Sequence, residues 1–129
     1  MRAIDTNIVV RYLTGDDAIQ AARARAAVDA DDVFVSTTVL LESEWLLRSV
    51  YGFGSQEVVA ALRAFAGLPT VSVESPVLLA EALERVDLGM DFADALHLGA
   101  AGHCSVLLTF DTGFVEAARS EAVKVVEPP

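Results

Sequence analysis

The sequence has 129 residues, 53% of them hydrophobic, and its 19 acidic and 9 basic residues give a formal net charge of −10. This composition is typical of one globular domain, expected over residues 1–129, and argues against intrinsic disorder. It lacks an apolar run near the roughly 18 residues of a membrane span and a secretory signal, so we expect a cytoplasmic protein without membrane association. The charge argues against a general basic surface that coats nucleic acid, but a clustered cation site, local nucleic-acid contact and a basic protein partner all stay open.

Short apolar segments alternate with helical patterns along the chain. We predict a buried strand over 2–5, then helices over 6–13 and 16–30, a strand over 33–35, helices over 37–51 and 55–66, a strand over 71–73, helices over 75–88 and 91–101, a strand over 106–109, a helix to 120 and a strand over 123–126. Alternation of this kind predicts an α/β fold with a central, mainly parallel sheet of four to five short strands and helices on both faces.

Acidic residues recur where these strands end or helices begin. Asp5 closes the first strand, and Asp111 follows the fourth. Asp91 and Asp94 lie in the first turn of a predicted helix, and Glu42 lies one to two turns into the helix after the second strand. Ligands of open α/β sheets bind outside the carboxyl ends of the strands. All these acids could therefore lie together at one rim of the sheet, where their carboxylates would suit a hard cation.

Electrostatic repulsion favours a bound cation at such a rim. Two carboxylates about 5 Å apart repel by roughly 3 kcal/mol at an effective dielectric constant near 20, and four together by on the order of 10 kcal/mol. The cluster would protonate in part or recruit a divalent ion. Mg²⁺ or Mn²⁺ there could position water and neutralise a phosphate in an in-line displacement.

Each acid also has a structural interpretation. Asp91 is a good N-cap, and Asp94 is favourable in a first helical turn. Asp111 could form an Asx-type turn, and Glu42 could be a solvated helix residue. Asp5 is the least ordinary, because acids are disfavoured in strands.

Four motifs occur in the order and spacing of a PIN domain. They are Ile4-Asp5-Thr6-Asn7, the run from Ser36 to Glu42, Asp91-Phe92-Ala93-Asp94-Ala95-Leu96-His97 and Leu108-Thr109-Phe110-Asp111. More narrowly, the chain resembles the VapC-type toxins of bacterial toxin–antitoxin pairs, and the resemblance covers essentially its whole length.

The resemblance implies a PIN-like three-layer fold and a metal-dependent endoribonuclease that hydrolyses RNA phosphodiester bonds. It implies that Mg²⁺ or Mn²⁺ is bound by an acidic quartet, Asp5, Glu42, Asp94 and Asp111, with Asp91 as a possible additional ligand. It also implies polar support from Thr6, Asn7 and Thr109. Glu44 is a rival to Glu42, but it faces a different direction on the helix and the family spacing favours Glu42.

The resemblance further implies partners. These are an RNA substrate, a second copy of the chain in a homodimer, and a cognate antitoxin whose basic C-terminal segment lies in the active-site groove and neutralises the toxin. The net charge of −10 fits a basic antitoxin segment.

Several other side chains are interpreted as structural. We expect Trp45, Tyr51, Phe53 and Phe65 in the core rather than at an interface, and Cys104 as a small buried hydrophobic residue. His97 is expected to be buried and hydrogen-bonded, although it shares a helix face with Asp94 and could touch a substrate phosphate. His103 is expected to stabilise a helix end.

Two other functions stay open. A phosphohydrolase could use Asp5 as its nucleophile, but the haloacid-dehalogenase pattern has a second Asp at the position that Asn7 occupies here. A non-catalytic module could use the same fold to bind protein or RNA, without metal or turnover.

Overall fold

The computed structural model describes residues 1–121 and 126–129, and it divides into two compact units, Met1–Pro76 and Val77–Pro129. Seven helices and five short strands occur in the described parts of the chain, so the predicted α/β class is confirmed. Within these parts, no helix has the length and apolar character needed to cross a bilayer.

The first unit is built on a three-stranded parallel sheet. Its strands lie in the order β1 (Arg2–Ala3), β2 (Val33–Val35) and β3 (Val71–Val73). In the central strand, Val33 pairs with Arg2 on one side and with Val71 on the other. Four helices connect and flank these strands: α1 (Thr6–Thr14), α2 (Ala18–Ala30), α3 (Thr37–Ser49) and α4 (Ser55–Ala66).

Local signals explain where these helices begin and end. Ser36 caps α3 by accepting a hydrogen bond from the Val39 backbone N–H, which satisfies one of the four free donors of a helix start. Helix α1 ends at Gly15, whose φ of 68° is a left-handed conformation that glycine adopts without steric cost. The apolar faces enclose a core that includes Val9, Val28, Leu47, Leu62 and Phe65.

The first strand differs from its prediction. It covers Arg2–Ala3 rather than 2–5, and both of its residues are exposed. Within this unit β1 is an edge strand that pairs only with β2, and Asp5 already caps α1. The residues that were predicted to form one buried strand therefore divide between a short edge strand and the segment that leads into α1.

The second unit contains α5 (Pro76–Asp87, beginning at the unit boundary), α6 (Phe92–Ala100), β4 (Leu107–Leu108), α7 (Thr112–Glu121) and β5 (Val126–Glu127). Strands β4 and β5 pair in parallel, Leu107 with Val126. The predicted last strand over 123–126 overlaps β5 only at Val126, and its first three residues lie outside the described part of the chain.

The predicted parallel pairing of four to five short strands is confirmed. Among the described residues the strands form a three-stranded and a two-stranded sheet, both parallel. The alternation of strands and helices predicts parallel pairing, but it does not specify which strands become neighbours. That choice depends on backbone hydrogen bonds between residues far apart in sequence, and strands of two residues offer few of them.

Candidate active site

Asp5 lies where β1 meets α1. Its Oδ1 accepts a hydrogen bond from the Ile8 backbone N–H at 3.2 Å, so it is the N-cap of α1. The residue is exposed. Because β1 is a parallel strand, Asp5 lies at the carboxyl end of the sheet, where α/β folds place ligands.

Thr6 and Glu42 are brought together from positions 36 residues apart. The buried Thr6 hydroxyl donates a hydrogen bond to Glu42 Oε1 at 2.5 Å, which joins the first turn of α1 to α3. Glu42 itself is exposed. Its carboxylate is thus held against the residue that follows Asp5, as expected if both acids serve one site.

Glu44, the rival acid on α3, has a different environment. It is only 6% exposed, and its carboxylate accepts hydrogen bonds from the Arg48 guanidinium at 3.0 and 3.3 Å. The buried positions of α3 are 40, 43, 44 and 47, which form one helical stripe. Residue 42 lies off this stripe, so the structure favours Glu42 over Glu44 as an acid available to a ligand.

In the second unit, Asp91 and Asp94 share the start of α6. Asp91 Oδ2 accepts a hydrogen bond from the Asp94 backbone N–H at 3.3 Å, so its interpretation as an N-cap is confirmed. Asp94 lies in the first helical turn with its side chain partly buried.

Asp111 directly precedes α7, and Thr109 is hydrogen-bonded to it. Asp111 Oδ1 accepts a hydrogen bond from the Phe114 backbone N–H at 3.1 Å, and the Thr109 hydroxyl accepts one from the Asp111 backbone N–H at 3.0 Å. Thr109 therefore contacts Asp111 directly, while its predicted role in supporting a metal site stays a prediction.

Asp94 is influenced electrostatically by the other two acids. Burial raises the pKa of Asp94, the carboxylates of Asp91 and Asp111 raise it further, and His97 acts in the opposite direction. Each raising effect disfavours the ionised form of Asp94. A divalent cation would favour the ionised form instead, and carboxylate oxygens are the kind of ligand that Mg²⁺ and Mn²⁺ take.

The candidate acids form two groups, one in each unit. Asp5 and Glu42 belong to the first, and Asp91, Asp94 and Asp111 to the second. Over residues 1–121 and 126–129, no three acidic, histidine or cysteine side chains are spaced so as to hold a metal ion. The predicted joint cation site of all these acids stays a prediction.

Comparison with known proteins gives the family. The model of the PIN domain family matches residues 3–120. The chain belongs to the PIN domain family. A comparison with curated protein sequences found no match. Among solved structures, the chain is similar to Mycobacterium tuberculosis VapC20, a sarcin–ricin loop cleaving toxin, with 24% identity over 97% of each chain and a TM-score of 0.46.

Several side chains of this PIN domain lie elsewhere than expected. His97 is exposed, because the buried residues of α6 are Phe92, Ala95, Leu96 and Leu98 and residue 97 faces away from them. Cys104 is also exposed. It precedes β4 in a turn, where the adjacent apolar run does not determine its burial.

The aromatic residues divide between core and surface. Phe65 is 1% exposed, as expected, and packs edge-to-face against Tyr12 with ring centroids 5.3 Å apart. Trp45 is 53% exposed, so its assignment to the core is wrong. It lies off the buried stripe of α3, as Glu42 does. Tyr51 and Phe53 are half-buried.

Two arginines of the PIN domain, to which no sequence pattern gives a role, line a cavity with Asp5. These are Arg11 on α1 and Arg23 on α2. Their sequence signal was weak, because Arg23 lies in an alanine-rich helix whose apolar pattern does not identify one face.

Proposed function

We propose that this PIN domain is a metal-dependent endoribonuclease and the toxin component of a toxin–antitoxin pair. The observation that supports it best is the group of neighbouring acids in the second unit. Asp91 Oδ2 accepts a hydrogen bond from the Asp94 backbone N–H, and burial, followed by the carboxylates of Asp91 and Asp111, raises the pKa of Asp94. Perturbed pKa values of this kind cluster at functional sites, and neighbouring carboxylates supply the oxygen ligands that a hard cation takes. Family membership adds the expectation of nuclease chemistry.

In this proposal, Mg²⁺ or Mn²⁺ is held by Asp5, Glu42, Asp94 and Asp111, with Asp91 as an additional acid. When bound, such an ion polarises phosphoryl oxygen, neutralises charge that develops in the transition state and promotes ionisation of water. The reaction class is hydrolysis of an RNA phosphodiester by water, without a covalent enzyme intermediate.

The chain's own residues orient the acids. Thr6 donates to Glu42 and leaves the second carboxylate oxygen of that residue for a ligand. Thr109 fixes the backbone of Asp111. Asn7, adjacent in sequence and exposed, could donate its side-chain amide to a phosphate oxygen. Hydrogen-bonded support of this kind around metal ligands typically contributes about 10- to 100-fold to affinity or activity.

The proposal includes partners and location. The substrate is RNA, and a cognate antitoxin inhibits the enzyme by placing a basic C-terminal segment in the active-site groove. A net charge of −10 supports attraction of a basic segment. We further propose a single domain over residues 1–129 that works in the cytoplasm as a homodimer.

The direct test is RNA cleavage by the purified full-length chain with Mg²⁺, with Mn²⁺ and with chelator. We expect cleavage only with metal, and a loss of about 100-fold or more in Asp94→Asn, since comparable losses follow removal of one charge-stabilising group. Asp29→Asn, which removes an exposed carboxylate at the end of α2, is the matched control and should cleave within about twofold of wild type.

Four outcomes would contradict the proposal. Equal cleavage by wild type and Asp94→Asn would indicate a contaminating nuclease. Cleavage that persists with chelator would exclude the metal. Tight RNA or protein binding with no turnover under any metal condition would favour the non-catalytic module, and a trapped phosphoryl group on Asp5 would favour the phosphohydrolase.

A further inference from the structure

A cavity with both polar and apolar lining lies between α1 and α2 in the first unit. Its volume is about 420 Å³, and its polar lining comprises Asp5, Asn7, Arg11, Gln20 and Arg23. Cavities of roughly 300–1,000 Å³ are the usual size for small-molecule ligands, so one nucleotide of a strand would fit. The cavity includes Asp5 but extends away from it along the two helices.

The Arg11 guanidinium already has hydrogen-bond and ion-pair partners within the protein. Its Nε donates to Gln20 Oε1 at 2.9 Å and its Nη1 to the Tyr51 hydroxyl at 2.9 Å. The Asp16 carboxylate lies 3.5 Å from Nη1 and also accepts from Tyr51. Arg11 is therefore a structural cation whose field is largely cancelled by Asp16.

Arg23 is different. It is exposed, lines the same cavity, and makes no hydrogen bond or ion pair with any residue that the structure describes. An arginine presents five donors in a planar fork that matches phosphate geometry. The cavity thus combines a candidate catalytic acid with one uncompensated cation suited to an anion.

We propose that Arg23 binds a phosphate group of the RNA strand next to the one being cut, and so acts as a positioning residue for cleavage. This inference rests on the proposed RNA substrate. A strand held at Arg23 would be placed along α1 with its neighbouring phosphodiester directed towards Asp5. RNA is favoured over the antitoxin as the occupant, because the proposed antitoxin segment is basic and Arg23 would repel it.

The test compares Arg23→Ala with Arg25→Ala. Both residues are exposed on α2, but two positions along a helix they face different directions, and Arg25 does not line the cavity. Binding of a fluorescein-labelled 12-nucleotide single-stranded RNA is measured by anisotropy in Mg²⁺, with all variants in the Asp94→Asn background, in which cleavage is expected to be about 100-fold slower or more.

For Arg23→Ala we expect a rise in Kd of about 10-fold. The plot of the logarithm of the binding constant against the logarithm of salt concentration should also become less steep by about 0.7, the value for one phosphate contact on a single strand. Arg25→Ala should bind within about twofold of its parent with an unchanged slope. Arg23→Lys, which keeps the charge but loses the planar fork, should recover the salt dependence and only part of the affinity. In the active background, Arg23→Ala should raise KM and leave kcat within about twofold.

Equal effects of Arg23→Ala and Arg25→Ala would overturn the inference, because they would indicate a general charge effect. Weakened binding of a basic antitoxin peptide with unchanged RNA binding would also overturn it and assign the cavity to protein. Failure of the nuclease proposal is distinguishable, because the anisotropy assay needs no turnover: RNA binding that depends on Arg23 in a chain that never cleaves would refute only the proposed reaction.

Discussion

Substitution of Asp5 separates two roles of one carboxylate. Asp5 is a proposed metal ligand, and it is also the N-cap of α1 through its contact with the Ile8 N–H. Asparagine caps helices about as well as aspartate, whereas alanine does not. Asp5→Asn should therefore abolish cleavage and keep the cap, and Asp5→Ala should lose both.

The size of the stability effect follows from the geometry. Loss of an N-cap costs about 0.5–2 kcal/mol, and the observed 3.2 Å bond is at the long end of the normal range and exposed. We therefore expect about 0.5–1 kcal/mol for Asp5→Ala. With an unfolding entropy of about 2.1 cal/mol/K per residue, a chain of 129 residues should lose about 2–4 °C in Tm.

The assay pairs thermal unfolding in chelator with RNA cleavage in Mg²⁺. Asp17→Asn is the matched control, because Asp17 is also an N-cap aspartate, accepting from the Gln20 N–H at 3.1 Å, and has no proposed catalytic role. Asparagine also tolerates the positive φ of 62° at that position. We expect about 100-fold or greater loss of cleavage in both Asp5 variants, and full activity in Asp17→Asn.

Two results would refute this reasoning. If Asp5→Asn cleaves RNA as wild type does, Asp5 serves only as a cap. If Asp5→Ala unfolds at the same temperature as Asp5→Asn, the hydrogen bond to Ile8 contributes nothing measurable.

Three further predictions concern acids and packing. Because burial and two neighbouring carboxylates raise the pKa of Asp94 above its ordinary value of 3.8, its ionisation opposes folding. Asp94→Asn should therefore raise Tm at pH 7 in chelator. The gain should shrink as pH falls through the raised pKa and disappear below the ordinary value, as Tm measured against pH would reveal. Glu42→Gln should lose cleavage with little change in Tm. Glu44→Gln, which disturbs the ion pair of the buried Glu44 carboxylate with the exposed Arg48, should lower Tm and keep specific activity. The reverse pattern in paired cleavage and unfolding assays would exchange the roles of the two acids. Phe65→Ala, at a site 1% exposed, should destabilise the chain by about 3–5 kcal/mol in denaturant unfolding, and a loss below about 1 kcal/mol would contradict its place in the core.

Helix positions and the choice of candidate acids were accessible from the sequence. The Ser36 cap, Gly15 at the end of α1 and Pro76 at the start of α5 act through contacts within one helical turn, so the nearby residues are enough to locate them. Their predicted helix boundaries agree with the structure to within a few residues. The order of the four motifs likewise identified the PIN family, which the family match over residues 3–120 confirms.

Tertiary structure decided which faces are buried and which distant residues meet. The bond from Thr6 to Glu42 spans 36 positions, and the exposure of β1, His97 and Cys104 follows from which helix and strand faces have neighbours. Local patterns encode backbone conformation because its causes lie within a few residues, whereas burial and pairing are properties of packing between segments that are far apart along the chain.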